Sequence, residues 1–408
     1  VLARIVSNWL TRTDERGFQN AFAQLLLLRG HSVLHISSHG PTEFGKDLIT
    51  IGPDGMACGY QLKVGDITLP RWRTEIRHEI EELLDLPLEH PSLPCGVAKR
   101  HESYLVTTGK LNDPVRLQIE ALNRARKEKR KRQLRLVVGG EIEKDLISLH
   151  SDMPGWTPTD FQNLLAFFLA SGQSMLDKKR FAELLDGIFD REPVPNSNKK
   201  HSAHIAKALL LTSYAAQPFQ IAQNHLAVVE CWVMLACRAI AYSEDKALEI
   251  DLWRPSVQLA IRASHESLAR LEQEVLDSKD LLVGSIADPL VRGARLALLL
   301  GWIPAFRLSL LLAGEGQWRE DRLMPLIQRL QEEAVLWGEG AIPSWILASF
   351  CAKAHSNGAL HLRLIGSATA TVIGTHGHEK SGLPSPYYDA DTVLRHVYGR
   401  QLPGAVGP

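Results

Sequence analysis

The sequence predicts a mixed α/β domain over residues 1–150, followed by a mainly α-helical region over residues 151–408. Three observations carry this expectation. The short apolar runs with β character all lie before residue 141, helical segments alternate with the later ones, and beyond His150 nearly every periodic segment repeats as a helix does.

Residues 15–30, "ERGFQNAFAQLLLLRG", place Phe18, Phe22, Leu25 and Leu26 at helical spacing, with Gly30 where a helix-ending glycine belongs. The runs "HSVLHI" (31–36), "KDLITIG" (46–52) and "CGYQLKV" (58–64) are β-type, and "GPDG" at 52–55 joins the second and third as a hairpin. Next comes "RTEIRHEIEELLDLP" (73–87), a helix stopped by proline. A strand "SYLVTTG" (103–109), a helix opened by Asp-Pro at 113–132 and a strand "QLRLVVGG" (133–140) complete the domain.

In the second region, 203–243, 251–276, 286–314 and 319–338 read as amphipathic or buried helices. The polar stretch "DREPVPNSNKKHS" (190–202) reads as a linker or long loop. The glycine- and proline-rich end, from 374 onward, is expected to be loop-like apart from a short helix near 389–398. No fixed-period repeat indicates a solenoid.

Lys+Arg and Asp+Glu both number 46, so the net charge is zero and affinity for a polyanion must come from a local cluster. Five cysteines without CxxC spacing suit a reducing compartment. No signal-peptide pattern opens the chain, and the apolar run "LALLLGWIPAF" (296–306) is too short to span a bilayer, so a soluble, cytoplasmic protein is expected. The chain has no GxxxxGK[ST], Gly-x-Ser-x-Gly or HExxH motif, which argues against a P-loop motor, a serine hydrolase of that type and a zincin.

The chemistry concentrates in the hairpin. Gln61 and Lys63 are two apart on one strand and so share a face, and Asp47 lies on the strand paired with it. Phosphodiester hydrolysis needs a hard oxygen ligand for Mg²⁺, a second oxygen to fix the ion, and a cation near the phosphate. Asp47 supplies the carboxylate, Gln61 the amide oxygen and Lys63 the cation. Taken singly, Asp47 is equally a residue at a strand end and Lys63 a cation snorkelling from a sheet edge.

The order of motifs goes further. A helix ending at glycine ("FQNAFAQLLLLRGH"), then "GKD" at 45–47, then "YQLK" at 60–63, resembles the Mrr-like branch of the PD-(D/E)xK nucleases. The resemblance covers roughly residues 10–150, including "YLVTTG" and "LRLVVGGEIEKDLISL". It implies a restriction-endonuclease-like fold and Mg²⁺- or Mn²⁺-dependent cleavage of DNA, with Asp47 and Gln61 holding the ion. It also implies a role in bacterial restriction or anti-phage defence. The alternatives are a repair or recombination nuclease of the same fold, or a module that grips DNA without cutting. Two positions depart from the pattern. Gln61 stands where the wider superfamily has glutamate, and Gln19 where an acid is usual on the first helix. Glu15, one turn earlier on the same face, is placed to supply that carboxylate.

The run "RARKEKRKR" (124–132) carries seven basic residues and one acid, more than a helix C-terminus needs, so Arg126, Lys129, Arg130 and Arg132 are expected to contact phosphates. Arg71, Arg73 and Arg77 in "PRWRTEIRH" (70–78) would extend that surface, with Trp72 left to packing. The histidines His31, His35, His39, His201, His204, His376 and His378 are read mainly as structural. Beyond 150, the helical region is expected to sense a trigger or partner, to bind DNA or to form homo-oligomers, with any NTPase or sensor supplied by a separate protein.

Overall fold

The computed structural model describes residues 2–37, 46–88, 93, 101–151, 157–190, 198–277, 289–312, 324–325, 327–328 and 342–378. The chain forms two compact units, Val1–Ser264 and His265–Pro408.

The first unit is built on a five-stranded sheet of order β1-β2-β3-β4-β5. The strands are β1 (Ser32–Ile36), β2 (Leu48–Ile51), β3 (Ala57–Lys63), β4 (His101–Thr107) and β5 (Leu134–Val137). β1, β2 and β3 pair antiparallel, whereas β3, β4 and β5 pair parallel. The expected hairpin is present. Its reversal closes through the Gly55 N–H donating to Gly52 O at 2.9 Å, and Gly55 adopts φ +77°, which glycine takes without a Cβ penalty.

β3 is the central strand, and every one of its residues is buried. One face is covered by α2 (Glu15–Leu28), whose N-terminus is capped by the Asp14 carboxylate accepting from Gly17 N–H. Phe22 of α2 meets Tyr60 edge-on, with ring centroids 5.7 Å apart. The other face is covered by a helical segment in three parts: α3 (Leu69–Arg71), a π-helical turn (Trp72–Ile76) and α4 (Arg77–Asp85). Its Trp72, Ile76, Ile80, Leu83 and Leu84 pack with Leu105 and Leu134 of the sheet and with Val115 and Ile119 of α5 (Asp113–Glu128). Trp72 is thus a packing residue.

The chain opens with α1 (Leu2–Arg12), a helix not expected from the sequence, and the sheet is followed by α6 (Gly139–Ser151). The helices α7 (Pro158–Phe168), α8 (Lys178–Phe189), α9 (Asn198–Ile221), α10 (His225–Asp245) and the part of α11 (Ile250–Asp277) up to Ser264 complete the mainly helical region of this unit. One apolar core runs from Ile5 through Tyr60 to Ala263. Trp9 of α1 meets Tyr214 of α9 at 5.2 Å, and Gln217 Nε2 donates to Trp9 O at 2.9 Å. The change at residue 150 is therefore a change of secondary structure within one packed unit.

The single long helix expected over 203–243 is two. Gln223 turns the chain at φ +55°, and the Asn224 side chain caps α10 by accepting from Ala227 N–H. The stretch expected as a linker is helical from Asn198 onward, while 191–197 lie outside the described residues. α10 has the length and composition of a membrane span, but 61% of that window is buried in the unit's own core.

The second unit contains α12 (Pro289–Leu312), α13 (Ile342–Ala354) and α14 (Gly358–His378), with α13 packed on both others. Arg307 forms an ion pair with the buried Glu272. Residues 374–378, expected in a loop, form the last turn of α14. The helix expected near 389–398 and most of 319–338 lie outside the described residues.

Candidate active site

Alternation along β3 fixes which side chains meet. Ile49, Ala57 and Leu88 form one apolar cluster, and a Cβ at Gly59 would meet Leu88 and Leu83 at 2.9 and 3.1 Å. The odd-numbered positions of β3 thus face the α4 layer, and Tyr60 and Leu62 face α2. Gln61 and Lys63 fall on the α4 face. Lys63 Nζ lies 2.9 Å from Glu79 Oε2, in the first turn of α4.

Asp47 stands one residue before β2 and is 6% exposed. Its N–H donates to Tyr60 O at 2.8 Å. Its carboxylate Oδ2 accepts the Leu62 N–H at 2.6 Å, which sets it beside the backbone between Gln61 and Lys63. Its carbonyl accepts from Ser37 N–H at 2.7 Å and from Gln19 Nε2 at 3.0 Å.

Burial pushes the Asp47 carboxyl up to about 7. The Leu62 N–H and Lys63 oppose that rise, and the charges of Glu15 and Glu79 add to it. Three carboxyls and one ammonium therefore share one electrostatic environment. Gln61 is 3% exposed, and its Oε1 is buried with no hydrogen-bond partner. Such an oxygen costs about 1–3 kcal/mol unless something satisfies it.

Helix α2 reaches Asp47 through two residues. Gln19 holds the Asp47 main chain, and the half-buried Glu15 supplies charge near the Asp47 carboxyl. Lys46, beside Asp47 in the sequence, is buried and donates to Pro87 O at 3.0 Å. Glu79 was not singled out by the sequence. It is one of several glutamates in "RTEIRHEIEELLD", and only the contact with Lys63 distinguishes it.

The arginines divide. The Arg71 guanidinium closes the turn after β3 by donating to Val64 O at 2.8 Å, and Arg73 is exposed beside it. Arg77 pairs with Glu81. Arg126, expected on a phosphate-contacting surface, is buried. It donates to Arg132 O at 2.6 Å, Leu84 O at 3.2 Å and Asp85 Oδ1 at 2.9 Å. Arg132 donates to Asp85 O and Leu86 O, both at 3.3 Å. These two guanidiniums satisfy the carbonyls that end α4, where a helix has none of its own donors left. Lys129 and Arg130 are exposed.

Arg126→Ala is therefore expected to destabilise the protein by about 2 kcal/mol through lost charge-assisted bonds. A chemical-denaturation midpoint equal to wild type would show that the α4 terminus does not depend on it.

Because Ala57 pairs with His101 and Lys63 with Thr107, the basic run lies toward the opposite end of β3 from Lys63, roughly 20 Å along the strand.

Among the other sequence candidates, His31 Nδ1 is 3.0 Å from Thr50 Oγ1 and His201 Nδ1 is 2.7 Å from the Tyr242 hydroxyl. His39 lies outside the described residues. Among the described residues, no group of three His, Cys, Asp or Glu side chains is placed to hold a metal ion. Mg²⁺ does not require one, since it binds through one or two carboxylates and keeps several waters. Asp47 with the unsatisfied Gln61 oxygen fits that pattern. No family model, curated protein or solved structure matches the chain.

Proposed function

We propose that the protein is a metal-dependent nuclease that hydrolyses phosphodiester bonds in DNA, with Asp47, Gln61 and Lys63 at its centre. One observation carries this reading: a buried carboxylate with pKa near 7 and a partnerless amide oxygen lie on the face of the central strand that also bears a lysine. A sheet that needed only a strand end has no use for that combination, and each member costs folding energy. Perturbed groups of this kind concentrate where chemistry is done.

Asp47 and Gln61 would hold Mg²⁺ or Mn²⁺, and the ion, when bound, polarises the phosphate and acidifies water. Lys63 places a positive charge where negative charge builds on the phosphate oxygens. Glu79 fixes the position of that ammonium. Gln19 and the Leu62 N–H fix Asp47, so little reorganisation is needed when substrate arrives. Arg71 and Arg73 lie just past Lys63, where an incoming DNA backbone would meet a cation. The motif order adds the resemblance to the Mrr-like nucleases and, with it, restriction or anti-phage defence as the setting. A repair nuclease of the same fold is the alternative.

The test is plasmid cleavage by purified protein across a Mg²⁺ titration, with Gln61 varied. Gln61→Glu adds a second carboxylate, so half-maximal activity should move to lower Mg²⁺ with cutting retained. Gln61→Ala should move it higher or abolish cutting. Equal Mg²⁺ requirements in all three proteins would remove Gln61 from the metal site, and DNA binding without any cleavage would favour a non-catalytic module.

A further inference from the structure

At the other end of the sheet from the candidate active site lies a cavity of about 480 Å³. It is lined by Met56, Leu84, Asp85, His101 and Glu102 together with Arg126, Arg130, Lys131 and Arg132. Four permanent cations face two carboxylates. The carboxylates are also partly engaged elsewhere, since Glu102 pairs with Arg135 and accepts from the Tyr104 hydroxyl.

Two of the cations are accounted for by structure, because Arg126 and Arg132 bond the end of α4. Arg130 is not, and Lys131 is engaged only by a long ion pair with Asp85. Lys131 approaches Asp85 only to 3.7 Å with its side chain half exposed, and among the described residues the Arg130 side chain makes no hydrogen bond. Arg130 also adopts φ +53° at the end of α5, in a turn closed by the Lys131 N–H donating to Arg126 O at 2.8 Å. That is the position where helices use glycine, because any Cβ is strained there. The same left-handed turn ends other helices at Gln223, Ala247 and Ser356, so the conformation is not peculiar to this site; what it does is set Arg130 on the cavity wall. The Arg126 and Arg132 guanidiniums, moreover, are crowded enough that Arg132 holds its proton less tightly, through burial first and Arg126 second. An anion in the cavity relieves that crowding.

We propose that this cavity is a binding site for a phosphomonoester, separate from the candidate active site. Its cationic excess of two matches a phosphate dianion better than the single charge of an internal phosphodiester. Forked guanidiniums suit a terminal phosphate with three free oxygens. The chemistry is shared by a free 5′-nucleotide and by the phosphorylated end of a nucleic-acid strand, and it does not depend on the nuclease reading.

The experiment is calorimetric titration in EDTA, where no cleavage occurs, with three probes: inorganic phosphate, a nucleoside 5′-monophosphate, and one short oligonucleotide prepared with a 5′-phosphate or a 5′-hydroxyl. Binding of the monophosphate, or at least about tenfold tighter binding of the 5′-phosphorylated strand than of its hydroxyl twin, supports the site, and the stronger arm identifies the source. That ratio corresponds to about 1.4 kcal/mol. Arg130→Gly is the decisive variant. It relieves the strained backbone, so its melting temperature should equal or exceed wild type while phosphate affinity falls several-fold. Arg130→Gly combined with Lys131→Gln should erase the preference for 5′-phosphate. Failure of all three probes to bind, or an unchanged preference in the double variant, would overturn the proposal. Either result leaves the candidate active site untouched, because Asp47 and Lys63 take no part in the measurement.

Discussion

If the proposed nuclease reading holds, Lys63→Ala is expected to lower Mg²⁺-dependent DNA cleavage by about 10²–10³-fold, the usual effect of removing one charge aimed at a transition state. The loss should fall on kcat, because an ammonium beside the phosphate acts most strongly once charge has built up there. The substitution also strands Glu79, whose partner is 2.9 Å away and whose own side chain is partly buried. A folding defect could then imitate a catalytic one. The double variant Lys63→Ala, Glu79→Gln removes the pair as a unit and leaves no unpaired charge. It should melt near the wild-type temperature and still fail to cut. Wild-type cleavage by either variant would end the catalytic assignment.

Asp47→Asn should separate stability from activity, moving them in opposite directions. The folded-state pKa of Asp47 is raised, chiefly by burial, from the ordinary carboxyl range to about 7. A group whose pKa rises on folding contributes most below its unfolded pKa, near 4, and loses that contribution as pH climbs through 7. By pH 8 the wild-type protein carries a buried charge worth up to about 4 kcal/mol of destabilisation. Asparagine keeps an acceptor for the Leu62 N–H and carries no charge. The variant should therefore match wild type in denaturant midpoint at pH 4 and exceed it at pH 8, while cleaving nothing. Adding Mg²⁺ at pH 8 should stabilise wild type but not the variant, which narrows the gap. Equal midpoints at both pH values would mean that Asp47 is better solvated than its burial implies.

How much of this was legible in the sequence depends on the range of the interaction. The hairpin was readable because strand alternation and the "GPDG" turn are local, and the same alternation put Gln61 and Lys63 on one face. Glu79 was not, since its approach to Lys63 depends on how the segment from Leu69 to Asp85, with its π-helical turn, sits on the sheet. The role of Arg126 was hidden for a similar reason. A basic run reads as a solvated or phosphate-binding face unless one knows that the carbonyls ending α4, some forty residues earlier, will lie beside it. α1 has Ile5, Val6, Trp9 and Leu10 along one side, but it is short and no acid marks its first turn. The texture change at 150 was readable. What the later helices would pack against was not, because an apolar stripe does not name its partner.

That packing makes α2 a shared wall. On one side Phe22 rests on Tyr60 of the central strand, and Gln19 grips the main chain of Asp47; α9 of the helical layer also lies against this helix. Among the described residues, the two layers share one apolar core. Any displacement of α9 would press on the same rod that holds the carboxylate in place.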